Sequence, residues 1–89
     1  MNDLTLTTAL RQYIVTEILE GNDEGFTTQT PLLEWGLLNS MEMVRLLAYI
    51  HRQFAVEIAP DHVTPAHFQT VDSIVQLVKR QAAAGEMNA

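Results

Sequence analysis

The sequence has 89 residues, of which 47% are hydrophobic and 18% charged, and this composition is typical of one soluble globular domain. Eleven acidic and five basic residues give a net charge of −6, which argues against nucleic-acid binding because such proteins present a basic face. Cysteine is absent, which excludes disulfides, thiolate metal ligands and a cysteine nucleophile. Since the chain shows no bilayer-length apolar run and no secretory signal, we expect a cytoplasmic protein without a membrane partner.

The first predicted helix covers residues 7–19. Leu10, Ile14 and Ile18 recur one turn apart, which is the spacing of the apolar face of an amphipathic helix. Gly21 opens a Gly-Asn-Asp sequence of turn-forming residues, and these residues end the helix.

Residues 21–38 form a long connection between the first two predicted helices. Pro31 and three glycines resist regular structure there, yet the segment is also rich in large apolar residues. A loop of this length in a small domain is normally packed or functional, so we expect these residues to lie over the helices. Trp35 is interpreted first as a residue that pins the loop to the core. The apolar residues are Phe26, Leu32, Leu33, Trp35, Leu37 and Leu38.

The second predicted helix covers residues 40–54 and has the clearest pattern in the chain. Apolar residues follow at i, i+3, i+4, i+7 and i+11, the periodicity of a helix that buries one face. Asn39 and Ser40 stand at its start, and both residue types favour the amino-terminal cap. The pattern consists of Met43, Leu46, Leu47, Ile50 and Phe54.

A loop over residues 55–60 follows, in which we expect Val56 and Ile58 to be buried. A short helix is predicted over residues 62–68, because Pro65 suits the first turn of a helix. These elements join the second predicted helix to the last one.

Thr70 can cap the last predicted helix, which we expect to fade near Ala83 and to be followed by a disordered tail over residues 85–89. Its buried face has helical spacing and consists of Val71, Ile74, Val75 and Val78. The predicted fold class is therefore all-α. We expect a monomeric four-helix bundle, with three main helices and one short one, in a single domain over residues 1–84.

Ser40 stands where the long loop meets the second helix. A helix amino terminus offers free N–H groups and the positive end of the helix dipole, so it suits a phosphodiester on the serine oxygen. A serine at this place is also the ordinary choice for a helix cap. The residues alone leave both interpretations open.

Two other kinds of chemistry find little support. His51, His62 and His67 lack a carboxylate or cysteine at a recognised metal-ligand spacing, so we predict no metal site. The residues around Ser40 do not form the Gly-x-Ser-x-Gly elbow of a serine hydrolase. Because a chain of this length has no room for an elaborate enclosed active site, we predict that the protein is not an enzyme and has no catalytic residue.

From Leu10 to Val78 the sequence resembles the acyl and peptidyl carrier protein family. The run Gly36-Leu37-Leu38-Asn39-Ser40-Met41 falls on the family's motif of Gly, a few residues, Asp, Ser and Leu. Phe54 to Ile58 is similar to the family segment after the second helix, and Thr70-Val71 to the start of its last helix. The resemblance implies that Ser40 carries 4′-phosphopantetheine, installed by a phosphopantetheinyl transferase.

The motif departs from the family at Asn39, which replaces an aspartate, and at Met41, which replaces a leucine. The mixed charges of the second helix argue against fatty-acid synthesis. Residues 30–40 are more similar to free-standing peptidyl carriers of secondary metabolism, in particular those that hold a prolyl group while it is oxidised to pyrrole. This resemblance implies an aminoacyl thioester for natural-product biosynthesis, with an acyl or polyketide extender unit as the alternative cargo.

The resemblance also implies an adenylating or acyl-loading enzyme and a downstream tailoring or condensing enzyme as partners. An alternative of another class is a small helical adaptor in which Ser40 is only a cap. Met41, Val44 and Ala48 follow Ser40 on one side of the second helix, where they either complete the core or form an apolar contact strip. The predicted partner contacts are Trp35, Asn39, Met41, Glu42, Val44, Arg45 and Ala48.

Overall fold

The computed structural model describes residues 2–87. Over that range it contains four α-helices and one 3₁₀ turn, and no strand. This architecture confirms the predicted all-α bundle of three main helices and one short helix. The helices are α1 (Asp3–Glu17), α2 (Ser40–Phe54), α3 (Pro65–Phe68) and α4 (Val71–Met87), and the 3₁₀ turn is Pro60–His62.

Helix α1 begins four residues before its predicted start, at Asp3. The cause is Asn2, whose side-chain oxygen accepts a hydrogen bond from the Leu4 amide at 2.7 Å and so satisfies a free N–H of the first turn. The helix ends two residues early, at Glu17. Gly21 then adopts a φ of 87°, a left-handed conformation that glycine enters without steric cost.

Each helix contributes one apolar face to the core. The faces predicted for α1, α2 and α4 pack into the core, where Leu46 and Ile50 of α2 are completely buried. Ile18 differs from its prediction, because it follows the end of α1 and is only half-buried. Phe68 of α3 is also fully buried and closes the core beneath the long loop. The buried helical residues are Leu6, Leu10, Tyr13, Ile14, Val15, Leu46, Ile50, Phe68, Val71, Ile74, Val75, Leu77 and Val78.

The connection between α1 and α2 packs against the bundle, as predicted. Phe26, Leu32 and Leu38 are buried in the core. Two backbone hydrogen bonds hold the loop to the other end of the chain. The Leu32 amide donates to the Gln69 carbonyl at 2.7 Å, and the Asp72 amide donates to the Thr28 carbonyl at 3.1 Å.

The short helix predicted over residues 62–68 is wrong in its extent. The structure has the 3₁₀ turn Pro60–His62, a break, and then α3 over Pro65–Phe68 only. Thr64 is extended, with a φ of −129°, because a residue that precedes proline is disfavoured in the helical region. In the loop before the turn, Val56 is buried as predicted, whereas Ile58 is only half-buried.

Helix α4 is capped by Thr70 as predicted, since the Thr70 hydroxyl accepts the Ser73 amide at 3.1 Å. The helix does not fade near Ala83 but continues to Met87. Alanine has the highest helix propensity, and one glycine costs only about 1 kcal/mol, so Gly85 does not end it. The disordered tail over residues 85–89 stays a prediction, of which residues 88–89 lie outside the described residues.

The carboxyl end of α2 supplies a stability test. Ala55 has a φ of 55°, a left-handed conformation that penalises a Cβ atom by about 1–2 kcal/mol. Glycine also adds conformational entropy to the unfolded chain, and this offsets part of the gain from removing the Cβ atom. Ala55→Gly should therefore raise the free energy of unfolding by about 0.5–1 kcal/mol. Ala48→Gly, at an exposed position inside the same helix, should lower it by about 1 kcal/mol. Urea denaturation measures both, and a loss of stability in Ala55→Gly would contradict the strain at this cap.

Candidate functional site

The start of α2 is capped by Asn39. Its side-chain oxygen accepts a hydrogen bond from the Glu42 amide at 2.8 Å, and its carbonyl accepts one from the Met43 amide, also at 2.8 Å. Asn39 is therefore the amino-terminal cap, and the interpretation of Ser40 as the cap is wrong. Ser40 is instead the first residue within the helix.

Ser40 presents a free hydroxyl. Its side chain is exposed and makes no hydrogen bond to any residue between 2 and 87. The other serine of the sequence is Ser73, whose hydroxyl donates to the His67 and Thr70 carbonyls at 2.9 Å and accepts the Thr70 amide at 3.1 Å. Ser73 is thus engaged in helix capping, whereas Ser40 faces solvent at the positive end of α2.

A single helical turn before α2 sets the direction from which the chain reaches Ser40. The Gly36 amide donates to the Leu33 carbonyl at 3.1 Å, and the Leu37 amide donates to the Leu32 carbonyl at 2.9 Å. These two bonds, together with the Gly36 φ of 73°, form the Schellman arrangement that ends a helix. Since Leu32 and Leu38 are buried on either side, the site is held on a packed loop.

Exposed apolar side chains follow Ser40 along α2. Met41 is 72% exposed and Val44 is 67% exposed, so neither completes the core, and Ala48 is exposed on the next turn. Trp35 is 55% exposed, so the interpretation that it pins the loop to the core is wrong. The side chains that anchor the loop are instead its buried neighbours in the connection.

The charged residues near Ser40 are paired with each other. An Arg45 guanidinium nitrogen lies 2.8 Å from a Glu42 carboxylate oxygen, and a second one lies 4.0 Å from Glu17 at the end of α1. The hydrogen bond that Arg45 donates to the Glu42 carboxylate raises the pKa of Arg45 above its ordinary value. Arg45 therefore links α1 to α2 as well as facing solvent.

The histidines do not join this site. His51 lies exposed near the end of α2. The rings of His62 and His67 meet edge to face with centroids 5.6 Å apart, and Nδ1 of His67 lies 2.9 Å from the Thr64 hydroxyl. Within residues 2–87, no three potential ligands among His, Cys, Asp and Glu form a group that could hold a metal ion. None of the helices in this part of the chain is long and apolar enough to cross a membrane.

This arrangement defines a class of protein. The Ser40 hydroxyl is free on the first turn of an amphipathic helix and is followed by exposed apolar side chains. This geometry suits a helical domain that bears a covalent group and presents it to enzymes. Residues 6–78 match the family model described as "Phosphopantetheine attachment site". The chain belongs to this family, whose members are carriers rather than enzymes and hold a covalent 4′-phosphopantetheine arm.

Two individual proteins are similar to this chain over most of its length. The "Probable acyl carrier protein PigG" of a Serratia species is 35% identical over 81 residues, which cover 91% of this chain and 93% of that protein. A chain in a crystal structure described as that of an FAD-dependent dehydrogenase is 38% identical, with a TM-score of 0.74. That alignment covers 78% of this chain and 97% of the other, so the matched chain is also small.

The assignment of the cap can be tested by stability. Asn39→Ala removes the acceptor of the Glu42 amide and should lower the free energy of unfolding by about 1 kcal/mol. Ser40→Ala removes an exposed hydroxyl without a partner and should change it by less than about 0.5 kcal/mol. Chemical denaturation of both variants gives the comparison. An equal loss in the two variants would show that Ser40 shares the capping role.

Proposed function

We propose that Ser40 is the attachment point of the 4′-phosphopantetheine arm. The observation that carries this proposal is the contrast between the two serines, because Ser73 is half-buried and engaged in capping α4 while Ser40 is exposed and free. Ser40 also lies on the family motif that begins at Gly36. The first-turn amides and the helix dipole favour the negative charge of a phosphodiester at this place.

Intact-mass measurement after incubation with coenzyme A and a broad-specificity phosphopantetheinyl transferase tests this assignment. The wild type should gain the mass of one phosphopantetheine group, and Ser40→Ala should gain none. Ser73→Ala is the matched control and should gain the group as the wild type does. A gain on Ser40→Ala would contradict the proposal, as would the absence of a gain on the wild type.

The cargo that we propose is an aminoacyl group, with prolyl as the first choice. Residues 30–40 are similar to carriers that hold a prolyl group during its oxidation to pyrrole. A small chain similar to this one belongs to a structure described as that of an FAD-dependent dehydrogenase, and this description supports the same choice because the oxidation of a prolyl ring needs a redox cofactor. An adenylating enzyme would load proline onto the arm thiol, which supplies the thioester chemistry that this cysteine-free chain lacks. A flavin enzyme would then accept the hydrogens removed from the ring.

An acyl or extender-unit cargo is the second candidate. The observation that favours it is the similarity to PigG, which is described as a probable acyl carrier protein. A helical adaptor without an arm is not retained, because it required Ser40 to be a cap and the cap is Asn39.

Loading assays on the phosphopantetheinylated protein distinguish the two cargoes. A panel of adenylating enzymes should transfer proline most efficiently, with a mass increase that hydroxylamine removes as expected for a thioester. Ser40→Ala serves as the control for transfer to other side chains. Failure with every amino acid together with success of an acyl donor would make the acyl carrier the correct assignment.

We also propose that enzymes dock on the exposed apolar surface beside Ser40. Met41, Val44 and Ala48 form a strip along α2, and Trp35 is a further exposed apolar side chain on the preceding loop. Such patches on small proteins commonly mark interaction sites. Asn39, Glu42 and Arg45 flank this strip and provide polar contacts at its edge.

A further inference from the structure

A groove lies between the long connection and the segment that joins α3 to α4. Its cavity volume is about 310 Å³, which is enough for a small organic group. The residues that line it are Pro31, Leu33, Glu34, Pro65, Gln69 and Thr70. The 2.7 Å hydrogen bond from the Leu32 amide to the Gln69 carbonyl joins its two sides, so main-chain contacts hold the groove together.

Two prolines and a leucine form the apolar side of the groove. Pro31 and Leu33 are half-buried, and Pro65 is exposed. The ring of a proline fixes its backbone angle φ, so Pro31 and Pro65 provide walls that change little in shape. Such walls suit the methylene groups of a small aliphatic ring, because little side-chain entropy is lost when the ring binds.

A single carboxylate supplies the charge of the groove. Glu34 is exposed and makes no ion pair within residues 2–87, and no cationic side chain lines the groove. Over the same part of the chain, the carboxylates that do pair with a cation are those of Asp3, Glu17, Asp23 and Glu42. The Gln69 side-chain amide makes no hydrogen bond to the described residues either, so it can donate and accept. The groove therefore offers a ligand one negative charge and one amide.

The groove is within reach of an arm on Ser40. Glu34 precedes Ser40 by six residues, which span at most about 21 Å when fully extended, and the turn that ends at Gly36 shortens that distance. Between the Ser40 oxygen and the thiol, phosphopantetheine has about as many backbone bonds as five residues, so it extends to about 17 Å. The group on the thiol adds to this length. The arm can therefore place its cargo beside Glu34.

We propose that this groove holds the cargo of the arm between enzymes, with the α-ammonium group of an aminoacyl thioester on the Glu34 carboxylate. This inference rests on the proposed function and adds the site at which the chain itself recognises its cargo. An aminoacyl thioester keeps its amino group, which is mostly protonated at neutral pH, and a hydrogen bond from a cation to a carboxylate is a strong one.

A prolyl group fits the remaining features of the groove. Its nitrogen belongs to a ring whose three methylene groups match the walls of Pro31 and Pro65. The Gln69 amide can donate a hydrogen bond to the carbonyl oxygen of the thioester. An acyl group carries no positive charge, so the groove favours the aminoacyl cargo over the acyl one.

The test uses protein that carries an amide-linked prolyl arm, which does not hydrolyse. A broad-specificity transferase installs this arm from a synthetic coenzyme A analogue. The readout is the change in each backbone amide shift, measured by two-dimensional proton–nitrogen NMR, relative to protein with an unloaded arm. A third arm, with a pyrrole-2-carbonyl group, is the cargo control, because its ring has a similar size and an uncharged nitrogen.

Glu34→Gln removes the proposed contact and keeps the shape of the side chain. Glu57→Gln is the matched control. Glu57 is also exposed and makes no ion pair among residues 2–87, but it lines a different groove, with Leu47 and His51. Far-UV circular dichroism verifies that both variants fold.

The prolyl arm should shift the amides of Leu33, Glu34, Gln69 and Thr70 more than those of the other residues. Glu34→Gln should reduce these shifts about two- to fivefold, as expected when one partly exposed ion pair is lost, and Glu57→Gln should leave them unchanged. The pyrrole arm should give shifts as small as those of the prolyl arm on Glu34→Gln. High salt should weaken the prolyl shifts by screening.

Equal shifts in the wild type, Glu34→Gln and Glu57→Gln would overturn this inference, as would prolyl shifts that map to Leu47 and His51. Because the transferase attaches the synthetic arm whatever the natural cargo is, either result would leave the proposed function intact. A wild type that accepts no arm would instead overturn the attachment at Ser40, and this inference with it.

Discussion

The hydrogen bond from the Leu32 amide to the Gln69 carbonyl, at 2.7 Å, is the link on which the geometry of the site depends. It fixes a long irregular connection to the end of α3, over a core in which Leu32 and Phe68 are completely buried. The turn that ends at Gly36 is thereby held in place, and it directs the chain into the cap at Asn39. The position of Ser40 therefore follows from contacts made far from it in the sequence.

Helix α2 serves two purposes because its two faces are different. Leu46 and Ile50 anchor it in the core, so that it behaves as a rigid rod. The opposite face leaves Met41 and Val44 in solvent although their burial would be favourable. Carriers work with several enzymes in turn, and the docking surface that we propose is this exposed apolar face.

The bounds of α2 and the apolar faces of the helices could be predicted, because helical periodicity and cap residues are local signals. Trp35 could not be placed, since in an irregular loop the composition does not tell which apolar side chains turn inward. The choice between Asn39 and Ser40 as the cap was also ambiguous, because both residue types suit that position. The 2.8 Å pair of Arg45 with Glu42 has a local signal, because the two residues stand three apart on one helix. The 4.0 Å contact of Arg45 with Glu17 has none, because Glu17 belongs to another helix.

The central claim is that Ser40 alone bears the arm. Tryptic peptide mapping of the phosphopantetheinylated protein tests it most directly, because residues 12–45 form one peptide with Ser40 and residues 53–79 form another with Ser73. Tandem mass spectrometry should place the whole modification on Ser40 and leave the second peptide unchanged. Modification of Ser73, or of a threonine in either peptide, would contradict the account.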